Sequence, residues 1–141
     1  IVPSTFPNNL DIRHAVTFAG TYDVKNLKLA VGVNWRTGKP FTEPVVGNEV
    51  TQTPTGNVIN YRDANSSRLP EYLRADASAT YKFKISEKTD ATLGMAVLNL
   101  LNRENVLDIF YRLQNSQSTE VQRVDSASLG ITPNVSFRVF F

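Results

Sequence analysis

The sequence contains no cysteine and only one histidine among its 141 residues. Without cysteine, the chain forms neither disulfide bonds nor thiolate metal ligands. The single histidine, His14, does not form a zinc site without partner ligands, and the sequence offers none around it. We therefore predict no metal site and no cofactor.

The chain also has no large excess of charge of one sign. Its 15 Lys and Arg residues face 13 Asp and Glu residues, which gives a net charge of +2. Nucleic-acid interfaces usually need clustered basic residues, and no such run occurs, so we expect no nucleic-acid partner. No serine with a base, carboxylate cluster or Gly-rich phosphate loop stands out, so we predict no enzyme activity and no catalytic residues.

No apolar run approaches the roughly 18 residues that a membrane helix needs. Strands of membrane barrels leave no such run, because their apolar and polar residues alternate. Alternation of this kind is what the sequence does contain. Between Leu27 and Arg36, five large apolar residues occupy every second position, and polar or small residues occupy the others. Successive side chains of a strand point to opposite faces, so this segment predicts a strand with one apolar face.

Four further segments show the same period and complete a prediction of five strands. Their approximate ranges are 15–22, 73–85, 91–113 with an irregular break at 99–105, and 134–141. The connections run short, long, short and medium, at 24–26, 37–70, 86–90 and 114–128. Transmembrane barrels alternate short periplasmic turns with longer extracellular loops in this way.

Three features favour a membrane barrel over a soluble antiparallel sandwich, which remains the alternative. Strands of about ten residues suit a tilted membrane crossing. The polar face carries bulky charged residues, as a wet lumen tolerates. Aromatic residues gather near the predicted strand ends, as in interfacial girdles; they are Tyr22, Trp35, Tyr81, Phe83, Tyr111, Phe140 and Phe141.

Five strands are too few to close a membrane barrel, since the smallest single-chain barrels have about eight. An open edge in lipid leaves backbone groups unpaired at several kcal/mol each. We therefore expect earlier strands before Ile1. Counted back from an expected periplasmic C-terminus at Phe141, the long loops lie outside and the short turns inside, and the odd strand count also favours a missing N-terminal portion.

Five ordered segments resemble TonB-dependent outer-membrane receptors, in particular those of Bacteroidetes-type bacteria. They are Asp-Ile-Arg-His at 11–14, Gly-Lys-Pro-Phe-Thr at 38–42, Asn with Arg-Leu-Pro-Glu-Tyr-Leu-Arg-Ala-Asp at 65–76, Val-Leu-Asn-Leu-Leu-Asn-Arg-Glu-Asn at 97–105, and the closing strand at 133–141. Ile12 departs from the pattern, where a second Arg is common. Together these segments are spread over almost the whole chain.

The resemblance implies that residues 1–141 are the C-terminal part of such a receptor, the last five of about 22 barrel strands, in a bacterial outer membrane. Its implied function is import of a nutrient such as a siderophore, glycan or peptide. The implied partners are the plug and remaining strands, the TonB complex, the barrel-assembly machinery, membrane lipid and a surface lipoprotein. Two alternatives stay open: a passive or structural barrel within a larger complex, and a soluble secreted β-sandwich binding module.

Charged residues near or on the polar parity are the candidates for lining the lumen or touching a plug; they are Arg13, Lys28, Arg36, Arg74 and Asp76. The alternative for Arg74 and Asp76 is an interstrand ion-pair ladder that fixes the register. In the irregular segment, Asn99, Asn102 and Asn105 are expected to satisfy backbone groups, with carbohydrate or siderophore contact as the alternative.

The last strand resembles the terminal signal that the barrel-assembly machinery recognises. The residues that carry this resemblance are Val135, Phe137, Val139 and Phe141. The alternative is an ordinary edge strand that ends in an aromatic residue. The 37–70 connection is where we expect a substrate or surface partner to bind, because loops carry recognition on such scaffolds.

Overall fold

The structure is a computed structural model that describes residues 5–141. The chain is all-β with antiparallel sheets: strand residues, isolated bridges included, make up 61% of the described residues, and these contain no helix. It divides into two compact units. We call residues 15–35, 73–104 and 129–141 the sheet unit, and residues 5–14, 36–72 and 105–128 the hairpin unit.

Eleven strands occur in the described part of the chain. They are β1 (Ala15–Val24), β2 (Leu27–Arg36), β3 (Pro40–Phe41), β4 (Val50–Thr53), β5 (Gly56–Ile59), β6 (Ser67–Arg68), β7 (Tyr72–Ser86), β8 (Thr89–Leu98), β9 (Val106–Leu113), β10 (Val121–Ala127) and β11 (Thr132–Phe140).

The sheet unit is one five-stranded sheet in the order β1-β2-β7-β8-β11, so each long strand lies beside its neighbour in the sequence. The first hairpin turns on only Lys25 and Asn26, and Lys25 adopts a left-handed conformation with φ of 51°. The second turns on Glu87 and Lys88, after a register shift between Lys84 and Ser86. Both turns are shorter than we predicted, because the alternating segments continue into residues that we had assigned to the connections.

The register aligns the apolar parity of three neighbouring strands. Directly opposite residues of an antiparallel pair lie on the same face, and the aligned triplets are Ala77–Val97–Pro133, Ala79–Met95–Val135, Tyr81–Leu93–Phe137 and Phe83–Ala91–Val139. The ring of Phe83 stacks on Tyr81 with 5.9 Å between centroids and lies 6.4 Å from Phe137. The predicted alternation therefore forms one continuous apolar face.

Most large side chains of this apolar face are exposed. Phe18 is 62% exposed, Met95 56% and Phe137 58%, whereas Ala91, which lies opposite both Phe83 and Val139, is 1% exposed. The other face carries small or polar residues, such as those in the rows Ser78–Ala96–Asn134 and Thr80–Gly94–Ser136. Within its own residues the sheet unit therefore has no second layer over its apolar face.

The hairpin unit consists of three short antiparallel pairs, β3 with β6, β4 with β5 and β9 with β10. Its buried hydrophobic core contains Phe41, Leu69 and Ile109, with Val106 and Tyr111 packed against it. The β4–β5 hairpin is attached to the β9–β10 connection, because Asn57 donates from its backbone N–H to Ser116 O at 2.6 Å and from its side chain to Ser118 O at 3.0 Å.

Two connections that we predicted as loops contain strands. The 37–70 connection contains β3 to β6, and the 114–128 connection contains β10, which pairs with β9 from Val121 to Ala127. Val121 and Val124 have opposite parity, so β10 shows no alternating apolar pattern. The fourth predicted strand is two elements, β8 and β9, and the break between them at 99–105 is confirmed.

Candidate functional site

The predicted lumen residues are divided between the two units. Lys28, Arg74 and Asp76 belong to the sheet unit, and Arg13 and Arg36 belong to the hairpin unit. Lys28 Nζ lies 3.8 Å from an oxygen of Asp23. Arg13 is exposed. Of these three residues, the sheet unit brings only Arg74 and Asp76 together.

Arg74 and Asp76 form an ion pair along a single strand, with 2.8 Å between Arg74 Nε and Asp76 Oδ1. Residues two apart on a strand project from the same face, which makes this geometry possible. The same carboxylate oxygen accepts the backbone N–H of Asn99 at 2.8 Å. Asp76 therefore links β7 to the start of the irregular segment that follows β8.

Asn99 organises the irregular segment and is only 3% exposed. Its side-chain amide donates to Arg103 O and to Leu129 O, both at 2.9 Å, and its oxygen accepts the N–H of Arg103 at 3.3 Å. Its φ of 54° is left-handed, a conformation that Asn adopts more readily than most residues. These contacts satisfy backbone groups that the interrupted ladder leaves unpaired.

Asn102 and Asn105 contact the backbone on either side of the same break. Asn102 has a φ of 47°, and its Oδ1 accepts the N–H of Ile131 at 2.9 Å. Asn105, in the hairpin unit, is 1% exposed; its N–H donates to Ser128 Oγ at 3.2 Å, and its O accepts the N–H of Ser128 at 2.8 Å. These contacts of the three asparagines connect parts of the chain, and ligand contact by any of them stays a prediction.

The predicted assembly-signal residues share the apolar parity of β11. Val135 lies opposite Met95, and Val139 lies opposite Ala91. Phe141 follows the last residue of β11 and is fully exposed. Its role in assembly stays a prediction.

The hairpin unit contains a cleft that sequence reasoning did not predict. It has a volume of about 250 Å³ and is lined by Glu43, Pro44, Val46, Glu49, Tyr111 and Val121. Burial raises the pKa of Tyr111, and the negative charge of Glu43 raises it further. An Arg62 nitrogen lies 3.9 Å from a Glu43 oxygen. Two carboxylates and a phenol in a concave surface can bind a polar ligand through hydrogen bonds.

Arg68 connects two distant positions of the hairpin unit, Asp11 and Gly38. Its Nη1 donates to Asp11 O at 2.8 Å and to Gly38 O at 3.1 Å, and its Nη2 pairs with the Asp11 carboxylate. Gly38 passes so close to the carbonyl of Leu69 that a Cβ at this position would overlap it. Arg36 lies over the ring of Tyr72, with 4.6 Å from Cζ to the centroid, a geometry that favours cation–π attraction.

The described residues contain no group of three or more His, Cys, Asp and Glu side chains arranged to hold a metal ion. None of their segments is a helix long and apolar enough to cross a membrane. No protein-family model, curated protein or solved structure matches this chain. The function is therefore argued from the geometry of the chain itself.

Proposed function

We propose that this chain forms part of the wall of a bacterial outer-membrane β-barrel of the TonB-dependent receptor type, which imports a nutrient. The observation that carries the proposal is the five-stranded sheet with one apolar, exposed face and one small or polar face. In this proposal the apolar face contacts lipid, and the opposite face lines the barrel interior.

The physical chemistry of the apolar face favours this environment. Val31, Met95 and Phe137 are each more than half exposed, and removing such side chains from water stabilises a protein by about 1.5–3 kcal/mol each. Soluble monomers rarely leave a large contiguous apolar surface in water. Lipid covers it without requiring a second sheet.

Strand length and the turn pattern support the same proposal. β1, β2 and β8 each have ten residues, β11 has nine and β7 has fifteen, and a tilted membrane strand needs about 9–11. The two hairpin turns have two residues each, whereas the other connections contain the strands of the hairpin unit. Short turns that alternate with longer loops along the sequence are typical of outer-membrane barrels.

The soluble sandwich is disfavoured because its inner face needs a second apolar layer, and the sheet unit contains none. The hairpin unit, with its small core and polar cleft, suits ligand recognition by connecting segments on a rigid scaffold. The TonB complex, the barrel-assembly machinery, a plug and a surface lipoprotein remain partners that the sequence resemblance implies.

Cell fractionation tests the membrane proposal. The native protein should remain in the outer-membrane pellet after alkaline carbonate washing and should need detergent for release. Recovery from the aqueous fraction without detergent would contradict the proposal. Uptake of the nutrient should then stop when the inner-membrane energy source is collapsed, whereas uptake that continues unchanged would identify a passive barrel.

A further inference from the structure

The polar face of the sheet unit carries a concentration of positive charge at its hairpin-turn end. The cations there are Lys25, Lys28, Lys82, Lys84, Lys88 and Arg138, and the carboxylates are Asp23, Glu87 and Asp90. One cation is already compensated, since Lys28 pairs with Asp23. The end of this face therefore keeps an excess of positive charge.

The strand register brings three of these cations together. Lys82 and Arg138 both lie opposite Thr92 on the intervening strand β8, and Lys84 lies opposite Asp90. Because neighbouring strands are about 4.8 Å apart, Lys82 and Arg138 leave their backbones about 10 Å apart on one face. All three cations are exposed, so each is available to a partner.

Two adjacent hollows lie at this cationic patch. The larger, about 350 Å³, is lined by Asn26, Lys82, Phe83, Lys84, Asp90, Ala91, Thr92 and Phe140. The smaller, about 190 Å³, is lined by Asp23, Lys25, Asn26, Leu27, Lys28, Thr80 and Lys82. They share Asn26 and Lys82, so they lie next to each other, and we call the two together the cationic groove.

We propose that this groove docks an extended polypeptide segment that carries several acidic side chains. Charge complementarity selects an acidic partner, because repeated carboxylates match the spaced cations. A partner that contacts both hollows and the spaced cations must be longer than a compact anion, which favours an extended peptide, and Phe140 in the larger hollow offers an apolar surface to a neighbouring side chain. This inference does not depend on where the sheet unit is located in the cell.

The test uses the full chain in non-ionic detergent micelles and a fluorescein-labelled hexaglutamate peptide, with binding measured by fluorescence anisotropy. Replacing Lys82, Lys84 and Arg138 with Gln should weaken binding about tenfold, because each exposed ion pair contributes only severalfold to the affinity. A control with Lys39, Arg112 and Arg123 replaced by Gln loses the same charge in the hairpin unit and should bind as the unmodified chain does. Lys82→Gln alone, which changes both hollows, should weaken binding severalfold.

Equal weakening in the control would overturn the proposal, because binding would then follow net charge alone. Unchanged binding in Lys82→Gln and in the triple variant would also overturn it. Inorganic phosphate should displace the peptide no better than sodium chloride at equal ionic strength. Displacement by phosphate where chloride fails would assign the groove to compact anions and refute the peptide.

Discussion

Replacing Asn99 with Ala should destabilise the sheet unit more than any other single asparagine change. The substitution leaves Arg103 O and Leu129 O without their donor and Arg103 N–H without its acceptor, at a site that is 3% exposed. Each lost hydrogen bond costs about 0.5–1.5 kcal/mol. Holding Ala at a φ of 54° costs about 1 kcal/mol more. We expect a total loss of about 2.5–5.5 kcal/mol in the free energy of unfolding.

Equilibrium urea unfolding in detergent micelles measures this loss. Asn99→Gly separates the two causes, because Gly loses the hydrogen bonds but adopts the left-handed conformation without strain; it should be about 1 kcal/mol more stable than Asn99→Ala. Asn134→Ala is the matched control on an exposed position of β11 and should change stability by less than about 0.5 kcal/mol. An Asn99→Ala variant as stable as the control would show that the hydrogen bonds of Asn99 do not stabilise the sheet unit. A Gly variant less stable than the Ala variant would show that the left-handed conformation costs Ala nothing.

Two further predictions concern the hairpin unit. Gly38→Ala should destabilise it by about 1–3 kcal/mol or more, because the added Cβ overlaps the carbonyl of Leu69. Gly47 has a φ of 80° but no atom within 4 Å of an added Cβ, so Gly47→Ala should lose only about 1 kcal/mol. Limited proteolysis compares the stability of the two variants. The folded-state pKa of Tyr111 lies above the ordinary value of 10.0. The protonated phenol therefore stabilises the folded state below about pH 10. This contribution to stability is lost as the pH rises through the folded-state pKa. Glu43→Gln should lower the Tyr111 pKa in an ultraviolet titration.

Each of these predictions has a result that contradicts it. Equal protease resistance of the two Ala variants would show that the chain relaxes around Gly38 without cost. A Tyr111 titration that does not respond to Glu43→Gln would remove Glu43 as a cause of the raised pKa. If Tyr111→Phe left the alkaline loss of stability unchanged, the linkage to this phenol would be wrong.

The five long strands were largely predictable because apolar and polar residues alternate over most of each strand, although the fourth predicted strand proved to be two elements, β8 and β9. Leu27 to Arg36 alternates without exception, and the structure assigns this range to β2. Aligning the apolar residues of β7, β8 and β11 then determines which parities lie opposite each other, as in the Tyr81–Leu93–Phe137 row, whereas the exact register required the structure. A slip by one residue would move every apolar side chain to the polar face.

The short strands were not predictable because local pattern does not determine them. β10 has Val121 and Val124 on opposite parities, and Arg123 pairs with Asp125 at 2.7 Å on the same strand. Its strand conformation depends on pairing with β9, an interaction between distant parts of the sequence. β4 and β5 have only four residues each, which is too short for alternation to be distinguished from chance.

The cleft at Glu43 and Tyr111 was missed for a related reason. Its lining residues come from the 37–70 connection and from β9 and β10, and no spacing rule connects these segments. The break at 99–105 was predictable, because Asn-rich sequence interrupts an apolar alternation there. The identity of each hydrogen-bond partner, such as Leu129 O for Asn99, required the structure.

Spin labels test directly whether the apolar face of the sheet unit contacts lipid. The chain has no cysteine, so single spin labels can be attached at Met95→Cys on the apolar parity and at Ala96→Cys on the polar parity. In outer-membrane preparations, we expect oxygen, which concentrates in lipid, to relax the label at residue 95, and a water-soluble nickel chelate to relax the label at residue 96. Relaxation of the residue 95 label by the chelate, or protection of it from both reagents, would contradict contact with lipid.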